Sequence, residues 1–355
     1  MSKKSDKLNF AVVGLGWAAQ NRHIPCILHN SKTNLIGVID RNPTRVQEVK
    51  KKFGSLQTAV SDVGNADWLD DSIDAVIIAT DPASHHQLAR HFLHNGKHLL
   101  VEKPLTTSVE EGVELVDISE KRGLKCAVGF NFQFSHSIST LKKKIESGEL
   151  GKIISIEAFQ WSNPKRRLPD WYEELPLGLF FDESPHLFYL LRNLSPVEPS
   201  FLTAISLPSS KGYNTPSIIT IHFQAGDIPM RILINFEATI SEWHLAVHGS
   251  RKIAIADIFR DVLISTRTDG THRARDILKT SFSMVRSHLS GTARSGVQLL
   301  RKQLYYGTDQ LLDRFTDAVL FNSEMHGMSV EDGLQVTKLQ YEVINSVLNE
   351  NSRSK

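Results

Sequence analysis

A doubly wound parallel α/β sheet followed by an α+β domain with a large, mostly antiparallel sheet is the architecture this sequence predicts. Three observations carry it. Residues 9–19, NFAVVGLGWAA, are apolar up to Gly14 and helical in texture beyond it. Short apolar runs then alternate with helical stretches as far as Gly129, and strands separated by helices pair in parallel. From Asn131 the texture changes to period-two runs with few helices between them, which favours antiparallel pairing. The expected domains are 1–130 and 131–355, with closing helices in the second.

Phe10, Val12 and Val13 suit a buried parallel strand. Gly14, Gly16 and Ala19 then give the spacing G-x-G-x-x-A, with Trp17 and Ala18 between them. This is the dinucleotide-binding fingerprint of a Rossmann sheet. Gly14 permits a sharp turn, Gly16 lets backbone approach a pyrophosphate, Ala19 allows helix to pack closely on strand, and the helix N-terminus supplies amides and partial positive charge. A second strand at 34–39 ends in Asp40, whose carboxylate can accept hydrogen bonds from an adenosine ribose and repels a 2′-phosphate, so NAD is expected over NADP. Arg41 pulls the other way, because a guanidinium there can pair with a phosphate.

The alternation continues through a helix at 17–29 bent by Pro25, a helix at 43–53 stopped by Gly54, a short strand near Thr58 and Val60, and a brief helix at 66–69. A strand at 74–80 leads to Asp81 and Pro82 and a helix at 85–95. A strand at 98–101 runs into Glu102, Lys103 and Pro104, and Ser108 with Glu111 forms a capping box. A strand at 125–129 closes the series. Ligands of such sheets sit beyond the carboxyl ends of the strands, where Gly14, Asp40, Thr80 and Lys103 fall; Pro82 and Glu102 join them as expected cofactor contacts.

In the second domain the spacing predicts a helix at 139–147, strands at 153–161, 217–223, 230–236, 243–248 and 252–256, and helices at 309–321 and 330–348. Ser329 is the expected N-cap of the last, with Asp332 three residues on. In the strand at 153–161, Ile154, Ile156, Ala158 and Gln160 share one face and Ser155, Glu157 and Phe159 the other.

Composition excludes some classes. The 355 residues carry 41 Lys and Arg against 39 Asp and Glu, a net charge of +2, which gives no basis for a nucleic-acid partner. Cys26 and Cys126 lack metal or framework spacing, no apolar stretch is of membrane-spanning length, and the start MSKKSDK is no signal segment. A soluble cytoplasmic protein is expected. No histidine is assigned to a metal, because His23, His85 and His86 show no carboxylate or thiol company in the sequence.

Lys103, Asp182 and His186 are the titratable groups that matter most. If a helix begins at Asp182, the i, i+4 relation puts carboxylate and imidazole on one face, and Pro185 then requires both to lie in its first turn. Such a pair suits removal of a proton from a substrate hydroxyl. Its bland alternative is a salt bridge at a helix entry.

These residues resemble the glucose-fructose oxidoreductase and inositol dehydrogenase family, Gfo/Idh/MocA. The resemblance runs through GLGWAAQNRHIP, ATDPASHHQLARHFLHNGKHLLVEKPL, LGLFFDESPHLFYLL and SVEDGLQV. It implies an NAD(P)-dependent oxidoreductase acting on CH–OH groups, with Lys103 as the lysine beside the nicotinamide, His85 as the histidine by the cofactor, and Asp182 and His186 as the catalytic D-x-x-x-H pair. It further implies an open-faced sheet in the second domain that packs on another subunit, giving a homo-oligomer, dimer or tetramer. Relatives carry G-G-G before the aspartate and arginines after the strand at Gly129; here LGLFF and NFQF stand instead, so Asn131 and Gln133 face the expected substrate region without a fixed charge.

Trp161, Arg166, Arg167, Trp171 and Tyr172 precede the pair. This aromatic and basic loop either stacks a sugar or uracil and pairs with a diphosphate or is simply solvated. A nucleotide sugar is the leading substrate, a free monosaccharide or inositol the runner-up, and a catalytically silent NAD-binding sensor the rival from another class. The stretch 272–305 holds seven Lys and Arg against Asp276 alone, with Ile277, Phe282, Val285 and Leu289 at helical spacing. It suits an anionic membrane surface, but packing on the sheet or on a neighbouring subunit, with its charges in water, is the expectation.

Overall fold

A computed structural model describes residues 7–54, 58–60, 63, 72–166, 168, 171–267, 273–301 and 303–353. The chain divides into two compact units, Met1–Asn131 with Thr308–Lys338, and Phe132–Gly307 with Leu339–Lys355. Among the described residues no helix is long and apolar enough to cross a membrane.

In the first unit β1 (Leu8–Val13), β2 (Thr33–Ile39), β3 (Thr58–Val60), β4 (Ala75–Ile78), β5 (His98–Val101) and β6 (Cys126–Val128) pair in parallel in the order β3-β2-β1-β4-β5-β6. All four residues of β4 are buried, as helices on both faces of a parallel sheet require. The helices here are α1 (Ile24–His29), α2 (Pro43–Phe53), α3 (Pro82–His94) and α4 (Val109–Arg122). The helix expected at 17–29 is not uniformly wound: Ala19–His23 is π-helical and passes directly into α1. Pro25 contributes no amide donor to that junction, and the wider turn accommodates the gap. The brief helix expected at 66–69 lies outside the described residues.

The second unit holds α5 (His136–Glu146), β7 (Ile153–Trp161), α6 (Leu179–Leu194), β8 (Ser200–Leu207), β9 (Ile218–Ala225), β10 (Ile228–Asn235), β11 (Glu242–Gly249), β12 (Lys252–Asp257), β13 (Val262–Arg267) and α7 (Ala274–Leu300). Its seven strands run β13-β12-β11-β7-β10-β9-β8, antiparallel throughout except where β10 lies parallel to β7. Ile156, Ala158 and Gln160 of β7 are buried, but Ile154 near the start of the strand is 56% exposed, and Trp161 is 39% exposed. The opposite face also exposes Ile205 and Leu207 of β8 and Ile253 of β12.

Helix α7 meets the expectation of packing on the sheet by one narrow side only. It packs on β13, but through its small residues Gly291 and Ser295, while Leu278, Phe282, Val285 and Leu289 point outward. The closing helices, α8 (Thr308–Phe321) and α9 (Val330–Arg353), depart from the expected division. Helix α8 and the start of α9 join the first unit, because Phe315 packs on Phe10 at 6.0 Å and Lys32 pairs with Asp313 at 2.7 Å and Asp317 at 2.5 Å. Ser329 and Asp332 cap α9 reciprocally, the Asp332 amide donating to Ser329 Oγ at 3.2 Å and the Ser329 amide to Asp332 Oδ2 at 3.1 Å.

Candidate active site

The first unit builds a cradle at the ends of β1, β2 and β4. Gly14 has φ of 87°, and a Cβ there would meet the Ala79 carbonyl at 2.6 Å, so only glycine fits the crossing of two strand ends. Gly16 is different. A Cβ on it would meet nothing within 4 Å, so packing within the protein does not demand glycine at that position. Asp40 is 7% exposed and accepts from the Leu15 amide at 2.7 Å and the Asn42 amide at 2.8 Å. These bonds fix its carboxylate at the β2 terminus and leave lone pairs for a ribose. Arg41 is 88% exposed on its side chain and reaches Asp81 at 3.3 Å. Trp17 is half exposed beneath the Arg22 guanidinium, 5.0 Å from its ring; Ala18 is partly exposed and Ala19 buried. Thr80 accepts from Ser84 Oγ at 2.7 Å, and Pro82 opens α3.

His85, expected beside the cofactor, is buried and clasps two backbone carbonyls. Its Nδ1 bonds the Pro104 carbonyl at 2.8 Å and its Nε2 faces the Thr80 carbonyl at 3.3 Å, and burial lowers its basicity. It thereby ties the loop after Lys103 to the end of β4. Glu102 bonds His23 at 2.7 Å and accepts from the Lys103 amide at 3.2 Å. Burial opposes its ionisation, but the His23 hydrogen bond and the charges of His23, Lys103 and Arg22 hold it at about 2. Sequence spacing gave His23 and His86 no carboxylate neighbours; in the structure His86 bonds Glu114 at 2.8 Å and lies 3.7 Å from Glu111. These contacts join residues far apart in the chain.

In the second unit the helix carrying Asp182 and His186 starts earlier than expected, at Leu179. Gly178 has φ of 57°, and a Cβ there would collide with Thr215. The Leu179 amide donates to Thr215 Oγ1 at 2.9 Å, and Thr215 donates onward to Glu173 at 2.7 Å. This tertiary cap extends α6 backward, so Pro185 and His186 sit inside the helix and not in its first turn. Pro185 cannot donate to the Phe181 carbonyl. Gln340 Nε2 of α9 does so instead, at 2.8 Å.

His186 is 8% exposed, enclosed by the rings of Phe132 at 4.8 Å, Trp243 at 5.5 Å and Tyr189 at 5.7 Å. Its Nδ1 bonds the Tyr189 hydroxyl at 3.0 Å, and that hydroxyl accepts from the Phe132 amide at 3.0 Å. Asp182 is partly exposed on the same helix. Tyr189 and Trp243 were not found by sequence reasoning. An i, i+3 search from His186 reaches Tyr189, whereas nothing local points to Trp243, whose buried Nε1 has no hydrogen-bond partner.

The structure redistributes the expected substrate residues. Arg166 pairs with buried Glu183, which also accepts from Gln160 Nε2. Trp161 follows Gln160 on β7, and successive strand residues point to opposite faces; since Gln160 faces α6, Trp161 faces away from it, beside Phe159 at 5.3 Å. Trp171 and Tyr172 lie at the 3₁₀ turn before α6, and burial raises the Tyr172 phenol above its ordinary value. Asn131 and Gln133 are buried in the turn Asn131–Phe134. Arg167 lies outside the described residues. On the open sheet face, Glu242, His244 and Asp257 bring ligand-type atoms within 4.8 Å of one another, and Arg260 bonds both carboxylates at 2.5 and 2.6 Å. A cation thus already occupies that cluster.

Comparison with known proteins follows the same division. Residues 8–130 match an oxidoreductase family with an NAD-binding Rossmann fold, and residues 138–255 match the GFO/IDH/MocA C-terminal domain. Glucose-6-phosphate 3-dehydrogenase of Bacillus subtilis is 30% identical over 157 residues, 44% of this chain and 43% of that protein. Inositol 2-dehydrogenase of Rhizobium meliloti is 26% identical over 278 residues, 75% of this chain and 81% of that one. The chain spans about half the length of several further curated relatives. The WlbA dehydrogenase of Bordetella pertussis, solved with NADH and UDP-GlcNAcA, shares the fold with a TM-score of 0.76 at 17% identity, covering 98% of this chain and 97% of that chain.

Proposed function

The chain belongs to the Gfo/Idh/MocA family of NAD-binding oxidoreductases, and from that premise we propose that it moves hydride between a secondary carbinol of a sugar-like substrate and NAD. The observation that carries the reading is His186, buried among aromatic rings with Nδ1 fixed by Tyr189. When bound, NAD supplies or takes up the hydride. Asp40 would hold the adenosine ribose, and the backbone at Gly14 and Gly16 would receive the pyrophosphate. With Nδ1–H donating to the Tyr189 oxygen, Nε2 of His186 exchanges the proton of the carbinol. We assign Asp182 to orienting that group and Lys103 to stabilising negative charge on the reacting oxygen.

Among the described residues of the nucleotide-sugar expectation, Arg166 is committed to Glu183 and Trp161 faces the other way, while Trp171 and Tyr172 stay beside α6. An uncharged polyol or monosaccharide therefore becomes the favoured substrate, and inositol 2-dehydrogenase among the relatives points in the same direction. Exposed Ile205, Leu207 and Ile253 on the open face of the second sheet support pairing with a second copy, and the buried free thiols Cys26 and Cys126 suit the cytoplasm. The test is mass spectrometry of ligands that co-purify, followed by NAD reduction with inositols, free sugars and nucleotide sugars. Loss of turnover in Lys103→Met is expected. NAD binding with no hydride transfer to any recovered ligand would leave the silent-sensor reading. Asp40→Ala should narrow the preference for NAD over NADP in fluorescence titration.

A further inference from the structure

Helix α7 has 27 residues, a rod of about 40 Å. Its inner side is small and polar. Gly291 fits against Val262, where a Cβ would approach to 2.8 Å, Ser295 Oγ donates to the Arg260 carbonyl at 2.7 Å, and Arg294 donates to the Asp261 carbonyl at 2.5 Å. Its outer side is the reverse: Leu278, Phe282, Val285 and Leu289 are 58, 67, 55 and 64% exposed. Their spacings of four, three and four residues make one continuous row. Arg275, Lys279 and Arg286 each precede a member of that row by three residues, so a basic row borders the apolar one. Asp276 is the one acid on the helix.

We propose that this outer face docks the protein on an anionic membrane surface. An apolar row flanked by long cationic side chains matches the interface of a bilayer, where the row enters the acyl boundary and the stems of Lys and Arg reach back to phosphates. Charge complementarity selects lipid over a second copy of the chain. Antiparallel pairing of α7 with itself about a two-fold axis would bring the two basic rows to the same side of the seam, and parallel pairing would leave each row without a counter-charge, whereas phosphate groups neutralise them.

Sedimentation with vesicles tests this directly. In about 0.01 M salt, with a screening length of about 30 Å, the intact protein should pellet with phosphatidylglycerol-containing vesicles and not with phosphatidylcholine alone. Salt of about 1 M should release it. Phe282→Glu with Leu289→Glu should weaken partitioning at least tenfold, as should Arg275→Glu with Lys279→Glu and Arg286→Glu, while thermal unfolding stays unchanged. Failure of the wild-type protein to pellet, or pelleting of either variant as complete as that of the wild type, would overturn the proposal. So would a drop in oligomeric state of the Phe282→Glu, Leu289→Glu variant in ultracentrifugation without vesicle binding by the wild type, which would assign the face to a second copy.

Discussion

Helices α6 and α7 belong to the same unit and are both rich in apolar residues, yet the fold treats them in opposite ways. Helix α6 buries thirteen of its sixteen residues, while α7 buries only Gly291 and Ser295. Helix α6 is covered by the sheet on one side and touched by α9 through Gln340, so each polar group on it has to find a partner inside the protein. Helix α7 rests on the edge strand β13 by one narrow side. Apolar content therefore does not decide burial here. On α6 the polar residues hold the risk, and on α7 the apolar ones contribute little to the fold.

The sharpest test of this contrast is His186→Ala on α6. Turnover should fall by roughly 10²- to 10⁴-fold with NAD affinity unchanged, and wild-type turnover in that variant would make the histidine structural. Glu183→Leu should cost about 3 kcal/mol in urea unfolding, because it strands the Arg166 charge in a mostly buried position. Gln340→Leu should cost about 1–3 kcal/mol by leaving the Phe181 carbonyl unsatisfied. Acid provides a milder probe of both units. Glu102 lies at about 2 in the fold against an ordinary 4.5: burial opposes ionisation, yet His23 and neighbouring cations outweigh it. Glu242 lies at about 2 because Arg260 bonds it. Their folded values lie below their unfolded ones, so the stability they add is complete above pH 4.5 and is lost as pH falls toward 2. Thermal unfolding against pH should show that slope, and Arg260→Met should reduce it. The smallest effect belongs to α7: Leu278→Ser and Leu289→Ser should each change stability by no more than about 0.5 kcal/mol. A larger loss in either would mean that α7 is covered in solution.

The cradle was legible in the sequence because its parts are local. Gly14, Gly16 and Ala19 are read within one turn, and Asp40 ends the next strand, so spacing alone places them. The histidine pocket was legible only in part. His186 and Asp182 stood out by type and spacing, but the start of α6 depends on Thr215, the carbonyl freed by Pro185 is satisfied from Gln340, and Arg166 is claimed by Glu183. Each of those partners is a long-range neighbour that periodicity cannot see. Strands β8 and β13 escaped notice for a related reason. They are the edges of the sheet, and the exposed residues on both faces of β8 leave no clean alternation. Trp161 shows how much one residue matters in a strand, since its neighbour Gln160 reaches α6 and it therefore cannot.

The donation from Gln340 to the Phe181 carbonyl also bears on how the chain is made. During synthesis α6 emerges long before α9, so its proline break waits without a donor until the final helix is complete. The first unit waits as well: its sheet is finished at Val128, but the Val128 amide bonds the Met328 carbonyl at 2.8 Å and Phe10 is covered by Phe315. Domains commonly fold in turn as they leave the ribosome. Both units draw on the same late stretch, so a nascent chain halted before Thr308 is expected to expose both cores to chaperones at once, which crosslinking of stalled chains would check.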